Sequence, residues 1–187
     1  MEVVDKAIEN NCASICLMPC YVREAFLRVN GKISICTVIG FPNGNNSTTV
    51  KVFEAKEAVN NGASEIDMVI NINYLKEGNY LAVLEEIKAV REVCKGKVLK
   101  VIIETCLLTE EEKIMMCKIV AESGADYIKT STGFSTGGAT IEDIRLFKKE
   151  LKEYNVKIKA SGGIRTFTDA QAFIEVGADR IGTSGLN

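Results

Sequence analysis

Four short, β-branched segments each carry a charged residue at a matching position: Asp67 in EIDMVI, Lys100 in VLKVIIE, Lys129 in DYIKTS and Lys159 in VKIKAS. In an extended strand, residues two apart share a face. Glu65, Asp67 and Val69 then oppose Ile66, Met68 and Ile70, while Lys100, Ile102 and Glu104 oppose Leu99, Val101 and Ile103. Likewise Tyr127, Lys129 and Ser131 oppose Ile128 and Thr130, and Lys157, Lys159 and Ser161 oppose Ile158 and Ala160. One face suits packing beneath helices; the other turns its charges inward. Burying unpaired charge costs several kcal/mol per group, and like charges add repulsion. Three inward lysines with few carboxylates make poor structural design unless chemistry needs them.

That chemistry is narrowed by an absence. The chain has no histidine, which removes Ser-His-Asp and Cys-His catalysis and His-ligated zinc. Proton transfer near neutral pH then falls to Lys, Asp, Glu, Cys, Tyr or water. An ordinary lysine, with a pKa of about 10.4, is only ~0.04% free amine at pH 7. Bringing that pKa to about 7 costs about 5 kcal/mol, and burial and a neighbouring cation push that way. A free amine in a pocket attacks a carbonyl and forms a Schiff base. Lys129 and Lys159 fall on successive strands, so each is expected to depress the other. The pattern leaves open which of them is the nucleophile.

Two glycine signals accompany the lysines. KASGGIR ends a strand with Gly162 and Gly163 before a helix, and IGTSG ends another with Gly182, Ser184 and Gly185. Bare amides beside a helix N-terminus make an anion site. In a (β/α) barrel the phosphate site is built after the seventh and eighth strands, which these loops would be if one strand were missing at the start.

The elements that must position these residues repeat a unit. NNCASICLM (10–18), NNGASEIDMV (60–69), ESGADYIKTS (122–131) and EVGADRIGTS (175–184) each run from a helix end through a small turn into a strand. Gly62, Gly124 and Gly177 stand where a helix C-terminus wants a left-handed residue. Further strands are expected at about 33–39, 98–104 and 156–160, and helices at about 20–29, 47–61, 79–94, 109–123, 140–154 and 167–176. Thr109 followed by Glu112 has the spacing of a capping box. Strict alternation of strand and helix means parallel βα units. The polar residues at alternate strand positions favour a barrel over an open sheet, whose strands would read as continuous apolar runs. The reading is α/β: a single-domain (β/α)8 TIM barrel over 1–187, incomplete, with seven recognisable strands and the first one missing.

Composition bounds the rest. With 187 residues, 47% apolar and 26% charged, and a net charge of −2, the chain reads as an ordinary globular domain. It lacks the basic surplus of a nucleic-acid binder and the apolar run of a membrane span. Seven scattered cysteines suit reduced thiols in the cytoplasm. Cys12, Cys16 and Cys20 recur every four residues, but a strand and a helix start would carry Cys16 and Cys20 apart, so no metal is expected there. Cys106, two residues beyond Glu104, falls near the pocket without any mark of a nucleophile.

ICTVIGFPNG (35–44), EIDMVINI (65–72), LKVIIET (99–105), YIKTSTGF (127–134) and KASGGIRT (159–166) resemble the deoxyribose-phosphate aldolases, in order and spacing over nearly the whole chain. The resemblance implies a class I lyase that needs no metal or cofactor. It would cleave 2-deoxy-D-ribose 5-phosphate reversibly to D-glyceraldehyde 3-phosphate and acetaldehyde, in deoxyribonucleotide catabolism. It implies Lys129 as the Schiff-base lysine, Lys159 as the lysine that depresses its pKa, Asp67 as the acidic residue of the proton relay, and Lys100 beside that relay. Gly133, Gly162, Gly163, Gly182 and Ser184 match positions around the substrate phosphate, with Gly185 where many relatives carry a second serine. The expected partners are a small phosphorylated sugar and acetaldehyde, with no nucleic acid or membrane; a homo-oligomer is allowed.

The resemblance departs at the ends. Its members usually open on a strand with an Asp-His-Thr motif and close on a final helix, and neither pattern occurs here. Strands near 14–18 and 180–184 are therefore expected to leave open edges, and with them instability or association. Two alternatives follow: a truncated, non-catalytic phosphate-binding barrel remnant, or another lysine-dependent aldolase or transaldolase.

Overall fold

The computed structural model describes residues 2–185. Seven parallel strands form one sheet in sequence order: β1 Ser14–Leu17, β2 Ser34–Ile39, β3 Glu65–Val69, β4 Val98–Ile102, β5 Tyr127–Lys129, β6 Lys157–Ser161 and β7 Arg180–Gly182. The helices are α1 Glu2–Glu9, α2 Val22–Val29, α3 Thr48–Asn60, α4 Ile72–Lys76, α5 Tyr80–Val93, α6 Glu110–Ser123, α7 Ile141–Glu150 and α8 Phe167–Glu175.

Each strand alternates as its sequence dictates. Ile66, Met68, Leu99, Val101, Ile128 and Ile158 are buried on the outer face. They share one apolar core with Ala55 of α3, Val83 and Ile87 of α5, Val120 of α6 and Phe147 of α7. The inner face carries Asp67, Lys100, Lys129 and Lys159, all buried.

That inner face closes on itself. Lys159 of β6 reaches Asp67 of β3 at 2.8 Å. Across a flat sheet, strands three places apart lie about 14 Å from one another, farther than a lysine side chain extends. Arg180 of β7 likewise reaches Glu65 of β3 at 3.1 Å and Ser14 of β1 at 3.3 Å. The sheet is therefore curled, as in a TIM-type barrel. Among the described residues β1 and β7 are its two edges.

Local signals end the elements where expected. Gly62, Gly124 and Gly177 have φ of 107°, 77° and 115°. Thr109 and Glu112 complete the capping box of α6, and Thr166 and Asp169 form a second one on α8. Three short pieces escaped sequence reading. They are α4, started by the Asn71 side chain accepting from Asn73 N, and single 3-10 turns at Pro19–Tyr21 and Thr105–Leu107. All are too short for a helical period to register. Two elements also stop early: β5 ends at Lys129 and α7 at Glu150.

Candidate active site

The lysine cluster is built by register. Lys100 is the β4 partner of Asp67, and Lys159 is the β6 partner of Lys129. The curl then folds these pairs onto one carboxylate. Asp67 Oδ2 accepts from both Lys129 Nζ and Lys159 Nζ at 2.8 Å, and Oδ1 accepts from Lys100 Nζ at 2.8 Å. Burial alone would raise the Asp67 pKa, but the ammonium groups of Lys129, Lys159 and Lys100 hold it well below the usual carboxylate range.

The same carboxylate also sets the net direction of the Lys129 shift. Lys159 was expected to depress the pKa of Lys129. Burial does lower it, but the carboxylate of Asp67, with a smaller contribution from the Cys16 sulfur as thiolate, outweighs burial and raises Lys129 above the ordinary lysine value. The strand pattern places the two cations side by side; it does not say that both bond to one anion.

Several participants received no role from the sequence. Glu65 lies on the inner face, as alternation requires. It accepts from Lys100 at 2.6 Å and from Arg180 at 3.1 Å, balancing charge beneath Asp67. Arg180 also covers the Tyr127 ring at 5.5 Å. Cys36 donates to Asp67 Oδ1 at 3.2 Å and accepts from Lys100 at 3.4 Å. Alternation along β1, β2 and β7 could have found Cys16, Cys36 and Arg180, since each shares parity with an inward neighbour.

Lys129 opens onto a cleft of about 640 Å³ whose lining includes Cys16, Val38, Phe41, Thr132 and Phe134. Phe41 and Phe134 meet edge to face at its mouth, 5.4 Å between centroids. Glu104, at the end of β4, adopts φ 54° and ψ 67°. This left-handed conformation is unusual for a non-glycine residue. It aims the carboxylate at the amide and hydroxyl of Thr132 and so fixes the loop after β5. Cys106 is exposed and donates to Ser135 Oγ at 3.4 Å.

The glycines divide in their roles. Gly133, Gly162 and Gly163 all have positive φ, 86°, 85° and 79°. Gly133 and Gly162 adjoin, since a Cβ on Gly162 would lie 3.6 Å from the Gly133 Cα. Gly162 and Gly163 line a second hollow of about 370 Å³, apart from Lys129, together with Gly138, Thr140 and Asp169. Gly138 was not anticipated, yet a Cβ there would fall 2.2 Å from the Gly162 carbonyl oxygen. Gly182 has a steric reason of its own: a Cβ would meet Ser161 Cβ at 2.9 Å and Lys159 Cε at 3.1 Å. Ser184 is exposed beyond β7.

A group able to hold a metal exists among the described residues, but it is Cys16, Cys36 and Asp67 rather than the Cys12, Cys16 and Cys20 series. No helix among the described residues is long and apolar enough to cross a membrane.

The profile of the DeoC/LacD family aldolases matches residues 1–187. A deoxyribose-phosphate aldolase of Clostridium botulinum is 58% identical over 183 residues, which span 98% of this chain and 82% of that protein. One from Clostridioides difficile is 55% identical, spanning 97% of this chain and 83% of its own length. Among solved structures, an aldolase designated QR15 superposes with TM-score 0.94 at 47% identity, covering 98% of this chain and 82% of that one. The tetrameric deoxyribose phosphate aldolase of Aeropyrum pernix superposes with TM-score 0.90 at 32% identity, covering 97% and 77%.

Proposed function

Because the chain belongs to the DeoC/LacD family of aldolases, we propose that it is a class I deoxyribose-phosphate aldolase, cleaving 2-deoxy-D-ribose 5-phosphate reversibly to D-glyceraldehyde 3-phosphate and acetaldehyde. The observation that carries this reading is Asp67 Oδ2 shared at 2.8 Å by two lysines, of which Lys129 faces the cleft. A binding module gains nothing from such a cluster, which weighs against a non-catalytic phosphate-binding remnant.

The open-chain sugar presents its aldehyde to Lys129. As the carbonyl draws Nζ away from Asp67, burial and the neighbouring ammonium of Lys159 favour the free amine. Asp67 keeps Lys159 and Lys100, so its charge stays compensated. The amine adds to the carbonyl carbon, water leaves, and a protonated imine forms. The bond between the second and third sugar carbons then breaks as the 3-hydroxyl gives up its proton. The bonding pair flows into the imine to make an enamine, and the aldehyde phosphate departs. Protonation of the enamine carbon and hydrolysis release acetaldehyde. Asp67, with Lys100 beside it, is assigned the proton relay. The amides near Gly133, Gly162, Gly163, Gly182 and Ser184 are assigned the phosphate; at Gly133, Gly162 and Gly163 the positive-φ backbone suits a turn that presents N–H groups to an anion.

Borohydride reduction in the presence of acetaldehyde tests the assignment. The adduct is expected on Lys129, and Lys129→Leu is expected to abolish it. Labelling of Lys100 or Lys159 with Lys129 unmodified overturns the role given to Lys129.

A further inference from the structure

We propose that Cys16 and Cys36 are a dithiol pair at the floor of the Lys129 cleft, and that a peroxide converts them into an intrachain disulfide. The two residues are register partners on the parallel strands β1 and β2, and both side chains share the inner face with Asp67. Neighbouring strands lie about 4.8 Å apart, inside the ~4.4–6.8 Å window between Cα atoms that a disulfide accepts. The two Sγ atoms and an Asp67 carboxylate oxygen all lie within 4.8 Å of one another. Closing the bond asks for side-chain rotation, not for strand movement.

The two thiols have complementary chemistry. Cys16 is exposed to the cleft and Cys36 is fully buried behind it. The adjoining Cys36, helped by the cations of Lys129 and Lys159, brings the Cys16 thiol down to about 7 against the opposing effects of burial and Asp67. That lowering favours the thiolate, the nucleophilic form. Burial pushes Cys36 well above the ordinary thiol value, so it keeps its proton. Cys16 is thus the attacking sulfur and Cys36 the resolving one. Lys100, Lys129 and Lys159 also oppose a cation at this spot, which favours a sulfur–sulfur bond over metal ligation by Cys16, Cys36 and Asp67.

The step balances with hydrogen peroxide as oxidant. The Cys16 thiolate attacks one peroxide oxygen, the O–O bond breaks, and hydroxide leaves, giving a sulfenic acid. Cys36 Sγ then attacks the Cys16 sulfur. The S–O bond breaks, the Cys36 proton leaves with that oxygen as water, and the disulfide forms. Two electrons pass from the dithiol to the peroxide. The other cysteines are less suited. Burial pushes Cys94 to about 11 and Cys117 to about 12. Cys12, Cys20 and Cys106 are exposed, and none of them lines the cleft.

The test uses the full chain, reduced, exchanged into thiol-free buffer and treated with equimolar hydrogen peroxide, followed by alkylation after unfolding and peptide mapping. The expected product has lost two hydrogens, carries a Cys16–Cys36 cross-link, and leaves five of its seven cysteines alkylated. Dithiothreitol is expected to restore the full count. Cys36→Ser is expected to stop at a Cys16 sulfenic acid that dimedone traps. Cross-linking of Cys16 to Cys12 or Cys20 overturns the proposal, as does a Cys16 sulfinic acid with Cys36 still alkylated. The wild-type map decides the question even where the variant fails to fold, and it is independent of the aldolase reading.

Discussion

Asp67 sets the ionisation of the whole cluster because a single oxygen serves two ammonium groups. Removing one of them hands that oxygen to the other. Lys159→Leu takes a cation from beside Lys129 and leaves Asp67 Oδ2 to Lys129 alone. Both changes favour the charged form and raise the Lys129 pKa. The free amine then appears only at higher pH, so the acid limb of the kcat/KM profile is expected to move to higher pH and the rate at pH 7 to fall. An acid limb that stays in place in this variant contradicts the shared-carboxylate account.

Elements meet at two points next to the ends of the strands that carry the site. Lys51 of α3 is fully buried and donates to Val69 O and Glu86 Oε1, each at 2.8 Å, while Glu86 Oε2 accepts from Asn71 N at 2.9 Å. This ties the end of β3, two residues past Asp67, to α3 and α5. Burial lowers the Lys51 pKa and raises that of Glu86, so desolvation outweighs pairing on both partners. Lys51→Met, which strands a buried carboxylate, is expected to cost about 3–5 kcal/mol in urea unfolding. Adding Glu86→Leu is expected to recover part of that loss. The second meeting point is the loop before α7, where Gly138 runs so close to Gly162 that a Cβ would strike its carbonyl, and Ala139 N donates to Ser161 O at 3.0 Å. Gly138→Ala must push the Gly162–Gly163 turn aside. It is expected to raise KM for the phosphorylated sugar about tenfold, some 1.4 kcal/mol, with a far smaller effect on acetaldehyde alone. Equal losses for both substrates would mean general misfolding.

At the scale of the molecule, the inward charges make stability depend on acid. The Asp67 and Glu65 pKa values are both lowered in the fold, burial being overcome for Asp67 by Lys129, Lys159 and Lys100, and for Glu65 by Lys100 and Arg180. A carboxylate with a depressed folded pKa contributes stability that is complete above its unfolded value, about 4, and fades as pH falls through the folded one. Glu86, shifted the other way, offsets part of this. Thermal melts are expected to be flat with respect to these two groups from pH 7 to about 5 and to fall steeply below about 4. Lys100→Met removes the cation common to both carboxylates and is expected to lower the melting temperature at pH 7 while flattening the acid decline. A variant that keeps the steep decline would place the acid sensitivity elsewhere.

The amino-acid sequence alone determined the βα alternation, the strand faces and the identity of the inward charges. Those follow from periodicity and from turn and cap residues, which act over a few neighbouring positions. Lys129, Lys159, Asp67 and Lys100 were readable because a period of two sorts them away from Ile128, Ile158, Met68 and Val101. Gly162 and Gly163 were readable because a strand end followed by paired glycines has a local backbone meaning. What only the tertiary structure decided is which charge meets which. The curl of the sheet brings β3 against β6 and β7, so Asp67 receives two lysines and Glu65 receives Arg180. The sign of the Lys129 shift, the pairing of Cys16 with Cys36 and the close approach of Gly138 to Gly162 all arise from contacts between residues at least twenty positions apart. Such contacts depend on the register and curvature of the curled sheet, and local periodicity carries neither.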